Sequence, residues 1–230
     1  GGDGTLDGLT VPKKHGRRRP VGKGIKVLFA PDSYGALSST DAIKRLSVAA
    51  RRHFQGVKIV PVPMTYGGCG MVRALVTACE GAYRTAKITP LVPEGKSSAV
   101  YGVLHGKTAV LALAEVLPCE GEGTASLNAG ELIRRALDEG LREIVLGTAE
   151  SAIRDCGMGC MRALGVKFYD AEGTELKGSA EELRRVAAVD TEYLHPGLRE
   201  ARITILNGGI SETPAEYAED AVRFRALVAS

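Results

Sequence analysis

The chain has 230 residues, of which 44% are hydrophobic, 25% charged and 5% aromatic, and its formal net charge is +3 at pH 7. This length is sufficient for one large or two small domains with a substantial core. The small aromatic fraction disfavours a nucleic-acid surface built on stacked rings, and because no apolar run reaches about 18 residues, we expect no transmembrane helix.

The positive charge is concentrated in the first 24 residues. These hold six Lys or Arg and two Asp, a net charge of +4, which leaves −1 for the rest of the chain. We expect residues 1–24 to be a solvated, disordered leader; contact of this leader with nucleic acid or acidic lipid is the alternative. The sequence shows no secretory signal pattern, and its five scattered cysteines favour a reducing compartment, so we expect a cytoplasmic protein.

Two of the cysteines, Cys156 and Cys160, are four residues apart and share one face if this segment is helical. Tetrahedral zinc needs four ligands, and the nearest histidine in the sequence is His195. We therefore predict no metal site here and interpret the two thiols as small packed side chains.

The first part of the chain alternates between strand and helix patterns. The apolar run 25–30 predicts a buried strand, and Ser39-Thr40-Asp41 provides helix-starting residues before apolar positions at helical spacing. A second strand is predicted at 57–62, and a second helix after a glycine turn at 67–70. This β-α-β-α order is typical of a parallel sheet with crossover helices.

The pattern then changes. Three strand-like runs without intervening helices predict a small antiparallel patch; they lie at 83–89, 98–104 and 107–113. The remaining predicted helices lie at 129–141, 155–164, 181–186 and 214–229, and the remaining strands at 143–147, 166–169 and 201–206. The chain is therefore predicted to have an α/β fold.

Three turns rich in Gly or Asp follow the predicted parallel strands, at residues 31–39, 66–70 and 147–159. Ligands of open α/β sheets bind at the carboxyl edge of the strands, where the N-termini of helices favour anions. Together the three turns predict a site for a phosphate or carboxylate group. The sequence contains neither a Walker phosphate-binding loop nor a dinucleotide-binding glycine pattern after the first strand.

From about residue 25 to 206 the sequence resembles the bacterial-type glycerate kinase family. The resemblance is carried by an ordered set of stretches, at 30–39, 63–70, 101–110, 130–133, 147–165 and 168–173. It implies transfer of the γ-phosphate of ATP to a hydroxyl of D-glycerate, a reaction of organic acid metabolism that gives phosphoglycerate, with ATP and Mg²⁺ as cofactors.

The resemblance also implies two subdomains. The first is a Rossmann-like or flavodoxin-like parallel sheet domain, expected to comprise residues 25–81, 127–165 and 201–230. The second is a smaller mixed α/β subdomain, expected to comprise residues 82–126 and 166–200.

The resemblance makes Asp32 and Asp155 the candidate catalytic residues. Asp32 would bind Mg²⁺ or orient the attacking hydroxyl, and the alternative is a turn aspartate bonded to its own backbone. Asp155 would belong to a ligand loop, and the alternative is a helix-capping or first-turn acid.

The candidate residues for binding substrate or nucleotide are Ser33, Ser38, Ser39, Gly67, Gly68, Gly70, Ser151, Arg154, Gly157 and Gly159. Helix capping is the alternative for the first three serines, and a solvated helix position is the alternative for Arg154, whose guanidinium would suit a phosphate.

The second glycine turn departs from the family pattern Asp-Gly-Gly-Glu-Gly-Thr, since Tyr66, Cys69 and Met71 stand at its polar positions. Loss of one charged group placed for the transition state typically costs about 2.7–4 kcal/mol of its stabilisation. Family members also continue beyond the matched part, so we expect a divergent, C-terminally short member.

Two interpretations of the function follow. One is a glycerate kinase-like enzyme with a small-molecule substrate. The other is a non-catalytic homologue that binds a small anion or a protein partner. We expect no membrane partner, and nucleic-acid contact only through the leader. The oligomeric state is left open between a monomer and a homo-oligomer.

Overall fold

The structure is a computed structural model. It describes residues 26–32, 37–91, 95–116, 126–149, 153–207, 223–224 and 226–228, together with the backbone of residues 19–20. Two predicted site residues, Ser33 and Ser151, lie outside this part of the chain. So do the rest of the leader and most of the helix predicted at 214–229.

The predicted order of strand, helix, strand and helix is present in the first part of the chain, with two additional two-residue strands, the first of which lies within the predicted leader. The elements are β1 (Arg19–Pro20), β2 (Lys26–Phe29), α1 (Ser39–His53), β3 (Phe54–Gln55), β4 (Lys58–Pro61) and α2 (Met71–Ala78). β2 pairs in parallel with β4, and β1 pairs in parallel with β3. The burial of β2 is only partial, with Leu28 61% exposed, whereas the sequence predicts a buried strand.

The rest of the chain contains seven further strands in its described part. The elements are β5 (Ala82–Lys87), β6 (Ser98–Leu104), β7 (Thr108–Ala112), α3 (Leu113–Val116), α4 (Leu127–Asp138), β8 (Glu143–Gly147), α5 (Met158–Ala163), β9 (Lys167–Tyr169), β10 (Ala188–Asp190) and β11 (Arg202–Leu206). Short 3₁₀ helices occupy Ala180–Arg185 and Pro196–Arg199. α5 begins three residues later than predicted, because Asp155 and Gly157 form a turn before it.

Five strands form one mixed sheet in the order β11-β8-β7-β6-β5. β11, β8 and β7 are parallel, whereas β7, β6 and β5 are antiparallel. The predicted α/β class and the predicted antiparallel patch are confirmed. The division into two subdomains stays a prediction; it assigns β5–β7 and β8 to different units, and the structure joins these strands in one sheet.

Buried side chains in the described residues form three clusters. The largest lies between α4 and the five-stranded sheet and includes Leu111, Leu132 and Ile144. A second joins α5, β9 and the first 3₁₀ helix, and there Phe224 packs on Phe168 with ring centroids 5.5 Å apart. The third packs α2 against β6 and β7. Burial of each large apolar side chain among them stabilises the fold by about 1.5–3 kcal/mol.

Within the described residues, no helix has both the length and the apolar character needed to cross a membrane.

Candidate active site

The turn that follows β4 meets the carboxyl ends of β8 and β11 at Gly67. Gly67 has a φ of +96°, and a Cβ atom at this residue would overlap the backbone carbonyl oxygen of Leu206. In the same way, a Cβ atom at Gly147 would overlap the carbonyl oxygen of Gly67. The N–H of Thr148 completes the junction by donating to the carbonyl of Leu206 at 2.9 Å. Glycine is therefore required at both positions by the close approach of backbones.

The last glycine of this turn is held by a carboxylate that the sequence analysis missed. The N–H of Gly70 donates to Oε1 of Glu115 at 2.9 Å, and the N–H of Val72 donates to the same oxygen at 3.4 Å. Glu115 lies in α3, directly after β7, so the carboxyl end of β7 is joined to the N-terminus of α2. The signal in the sequence was a single acid within the apolar run 109–116.

Burial raises the pKa of the Glu115 carboxyl, while the N–H groups of Val72 and Gly70 and the charge of Lys96 act in the opposite direction. A negative group is favourable at a helix N-terminus, because the first N–H groups of the helix have no partners within it. Glu115 therefore fills, from within the chain, a position that suits an anion.

Ser39 joins the turns that follow β2 and β4. Its hydroxyl donates to the carbonyl of Pro31 at 2.7 Å and accepts from the N–H of Met64 at 2.8 Å, and the residue is buried. Ser38 is the N-cap of α1, since its hydroxyl accepts from the N–H of Asp41 at 3.2 Å. Ser38 thus makes the capping contact given above as the alternative, and the binding of ligand by either serine stays a prediction.

Asp32 follows β2 and is exposed. The tie through Ser39 connects the turn that contains Asp32 with the turn after β4. The first and second predicted turns therefore lie at one edge of the fold, as the sequence predicts. The role of Asp32 in catalysis stays a prediction.

Asp155 is completely buried and organises the third turn. Its Oδ2 accepts from the N–H of Ser126 at 2.7 Å, from the Ser126 hydroxyl at 3.0 Å and from the N–H of Gly159 at 3.0 Å. Its Oδ1 accepts from the N–H of Gly157 at 3.0 Å. Burial raises the pKa of the Asp155 carboxyl, and the four hydrogen bonds oppose this shift. In this arrangement both oxygens bind the chain itself, and a catalytic role for Asp155 stays a prediction.

The contacts of Asp155 join the beginnings of α4 and α5. The Ser126 hydroxyl also accepts from the N–H of Cys160 at 2.8 Å. A Cβ atom at Gly159 would lie only 2.8 Å from the N atom of Leu127, so glycine allows the two helices to approach closely. Gly157, with a φ of +83°, is the N-cap of α5, and Arg154 is partly buried just before this turn.

The structure thus gathers Asp155 and the glycines of the predicted site into two groups. One surrounds Gly67, Gly68 and Gly70 and connects the turns after β4, β7, β8 and β11. The other surrounds Asp155, Gly157 and Gly159 at the beginnings of α4 and α5.

Within the described ranges, no three or more His, Cys, Asp or Glu side chains are grouped so that they could hold a metal ion. Mg²⁺ is usually bound by one or two carboxylates, water and the phosphates of a substrate. The oxygens of Asp155 take four hydrogen bonds, and Oε1 of Glu115 takes two. Asp155 and Oε1 of Glu115 are thus engaged within the chain, and the binding of Mg²⁺ at the exposed Asp32 stays a prediction.

Comparison with known proteins gives the same family as the sequence resemblance. The family model described as "Glycerate kinase family" matches residues 27–208. The chain is 35% identical over 191 residues to glycerate 2-kinase of Escherichia coli (strain K12), and 31% identical over 192 residues to glycerate kinase of Haemophilus influenzae. Each alignment covers 79% of this chain and 50% of the relative, so the chain spans about half the length of these relatives.

A solved structure agrees with this assignment. The structure is similar to that of glycerate kinase 2 from Salmonella typhimurium LT2, with a TM-score of 0.70 and 26% sequence identity. The match covers 89% of this chain and 63% of the other. The resemblance inferred from the ordered turns is confirmed, and the chain belongs to the glycerate kinase family.

Proposed function

We propose that this protein is a glycerate kinase-like phosphotransferase with ATP as the phosphate donor. A hydroxyl oxygen of D-glycerate attacks the γ-phosphorus, the bond from that phosphorus to the β,γ-bridging oxygen breaks, and the hydroxyl proton is released. The products are phosphoglycerate and ADP. The proposal includes a cytoplasmic location.

One observation carries the proposal. The turns after β4, β7, β8 and β11 meet around Gly67–Gly70, at the carboxyl edge where open α/β folds bind their ligands. Phosphoryl transfer needs positioning and charge stabilisation more than covalent chemistry. Because the N–H groups of Gly70 and Thr148 already donate within the chain, the convergence of these strand ends supports the proposal through the positioning that it provides.

Individual residues have distinct roles in this proposal. Asp32, exposed at the same edge, orients the attacking hydroxyl and accepts its proton. The guanidinium of Arg154 contacts a phosphate, because its planar donors match phosphate oxygens. Asp155 contributes by holding the third turn in place through its four hydrogen bonds.

A non-catalytic homologue that binds a small anion or a protein partner is the second candidate. It is favoured because the carboxylates of Asp155 and Glu115 both accept hydrogen bonds from backbone N–H groups of the chain. Carboxylates used in this way contribute to the fold instead of to a metal or a substrate hydroxyl.

Formation of ADP from ATP and magnesium, measured with and without D-glycerate, distinguishes the two candidates. The kinase predicts ADP that depends on glycerate, with phosphoglycerate visible by ³¹P NMR. Asp32→Asn should abolish this activity, whereas Glu172→Gln, a change at an exposed turn far along the chain, should not. A folded chain that binds D-glycerate without forming ADP would instead support the non-catalytic homologue.

A further inference from the structure

A cavity of about 380 Å³ lies at the C-terminal end of α5, the end of this helix that is remote from its Gly157 cap. One wall is formed where the backbone of Tyr193 packs on Gly165. Gly165 has a φ of +104°, and a Cβ atom there would overlap the carbonyl oxygen of Tyr193. Glycine at 165 therefore allows the segment at 193–194 to approach the end of α5.

Three cationic side chains and one acidic side chain line this basic cavity: Arg134, Arg162, Lys167 and Glu175. Their formal charges, three positive and one negative, leave a net charge of +2. The ion pair between Arg162 and Glu175 is long, at 3.7 Å. One acid therefore offsets only part of the positive charge of the cavity.

The cations keep donors for a further partner. Arg134 uses one Nη1 contact, to the carbonyl of Ala163 at 3.2 Å, and Arg162 donates through Nη1 to the carbonyl of Lys177. Each guanidinium has five N–H donors, so most remain after these contacts. The ammonium of Lys167 lies 4.5 Å from the centroid of the Tyr193 ring, a cation–π contact that uses no hydrogen-bond acceptor.

We propose that this basic cavity binds the phosphate group of a small organic phosphate. A phosphate monoester carries a charge of about −1.5 to −2 at pH 7, which balances the +2 of the cavity. Guanidinium groups bind phosphate oxygens through paired donors, and small-molecule pockets commonly measure about 300–1,000 Å³. The ring of Tyr193, 60% exposed, provides an apolar surface for the organic part.

This inference does not depend on the proposed kinase activity. The cavity is built by α4, the end of α5, the start of β9 and the segment at 193–194, and none of the predicted site residues lines it. The probe can therefore be a phosphate that is neither the substrate nor the product of the proposed reaction.

The test is a titration of the full chain with glycerol 3-phosphate, followed by the backbone amide NMR signals of Gly165, Lys167 and Leu194. Glycerol, the neutral analogue, is the ligand control. We expect saturable shifts at these residues with glycerol 3-phosphate and none with glycerol. Removing a charged hydrogen bond costs about 1.5–3 kcal/mol, so Lys167→Gln should weaken binding about tenfold or more. Lys107→Gln, an exposed lysine outside the cavity, should leave it unchanged.

Arg134→Gln should also weaken binding, but this variant loses a bond to the end of α5, so the Lys167 variant is the decisive one. Absence of saturable shifts around Gly165 would overturn the proposal. Equal affinities of the Lys167→Gln and Lys107→Gln variants would overturn it as well.

Discussion

Glu115 and Gly70 are 45 residues apart in the sequence and are joined by a hydrogen bond of 2.9 Å from the N–H of Gly70 to Oε1 of Glu115. This bond connects the strand end of β7 with the turn after β4. The glycine turn is therefore held from three sides, by the ends of β8 and β11 through Gly67 and by Glu115.

Two substitutions of Glu115 distinguish the effect of its charge on stability from the effect of its hydrogen-bond acceptor. Glu115→Ala leaves the N–H groups of Gly70 and Val72 without this acceptor and should lower the free energy of unfolding by about 1–2 kcal/mol. Glu115→Gln keeps an oxygen acceptor without the buried charge, so its stability at pH 7 should match or exceed that of the parent chain. Urea unfolding of both variants measures the difference.

The same comparison has a defined pH dependence. Because burial raises the folded-state pKa of Glu115 above 4.5, its ionisation opposes folding. The stabilisation that the protonated Glu115 provides is complete at pH values below the pKa of this group in the unfolded chain. It is lost as the pH rises through the pKa of Glu115 in the folded chain. The free energy of unfolding of Glu115→Gln, relative to that of the parent chain, should therefore increase as the pH rises from about 4 to 7. A Gln variant that becomes relatively weaker over this range would contradict this sign.

Asp155 is expected to act through the fold. Asp155→Ala leaves buried N–H groups of Ser126, Gly157 and Gly159 unsatisfied and should cost about 3 kcal/mol or more of unfolding free energy. Glu172→Gln, at an exposed position, should cost less than about 0.5 kcal/mol. Denaturant unfolding checks both values. An alanine variant as stable as the parent but unable to form ADP would show that Asp155 serves the reaction and not the fold.

Gly67 and Gly70 provide a matched pair, because both have a positive φ and only one is crowded. Gly70→Ala, with no atom within 4 Å of the added Cβ, should lower the free energy of unfolding only by the conformational cost of a positive φ, about 1–2 kcal/mol. Gly67→Ala should lose more, because the added Cβ also overlaps the backbone of Leu206. Thermal unfolding of the two variants measures the difference, and equal losses would refute the close backbone contact.

Thiol reactivity should differ sharply between Cys160 and Cys69. Burial, with the charge of Asp155, raises the pKa of the Cys160 thiol to about 12, which leaves roughly one thiolate in 10⁴ molecules at pH 8. Cys69 is exposed. Alkylation by iodoacetamide, located by peptide mass spectrometry, should therefore modify Cys69 long before Cys160. Comparable rates in the folded chain would show that Cys160 is accessible.

Most elements and the glycine turns were predictable, because their signals are local. A capping serine before apolar positions at helical spacing predicts α1, and alternating strand and helix patterns predict the α/β class. The position of Glu115 was not predictable, because its partner lies 45 residues away. The hydrogen bonds of Asp155 were not predictable for the same reason, since its main partner, Ser126, lies 29 residues earlier.

The sequence by itself determined the family and the class of fold, together with the turns that form the candidate edge. These follow from local composition and from the order of short patterns along the chain. Only the tertiary structure decided that the antiparallel strands continue the parallel sheet and that Glu115 holds the second turn. It alone decided that Asp155 is saturated by its neighbours and that three cations share one cavity. The physical reason is that hydrogen bonds and charge clusters depend on distances in space, which spacing along a chain does not specify.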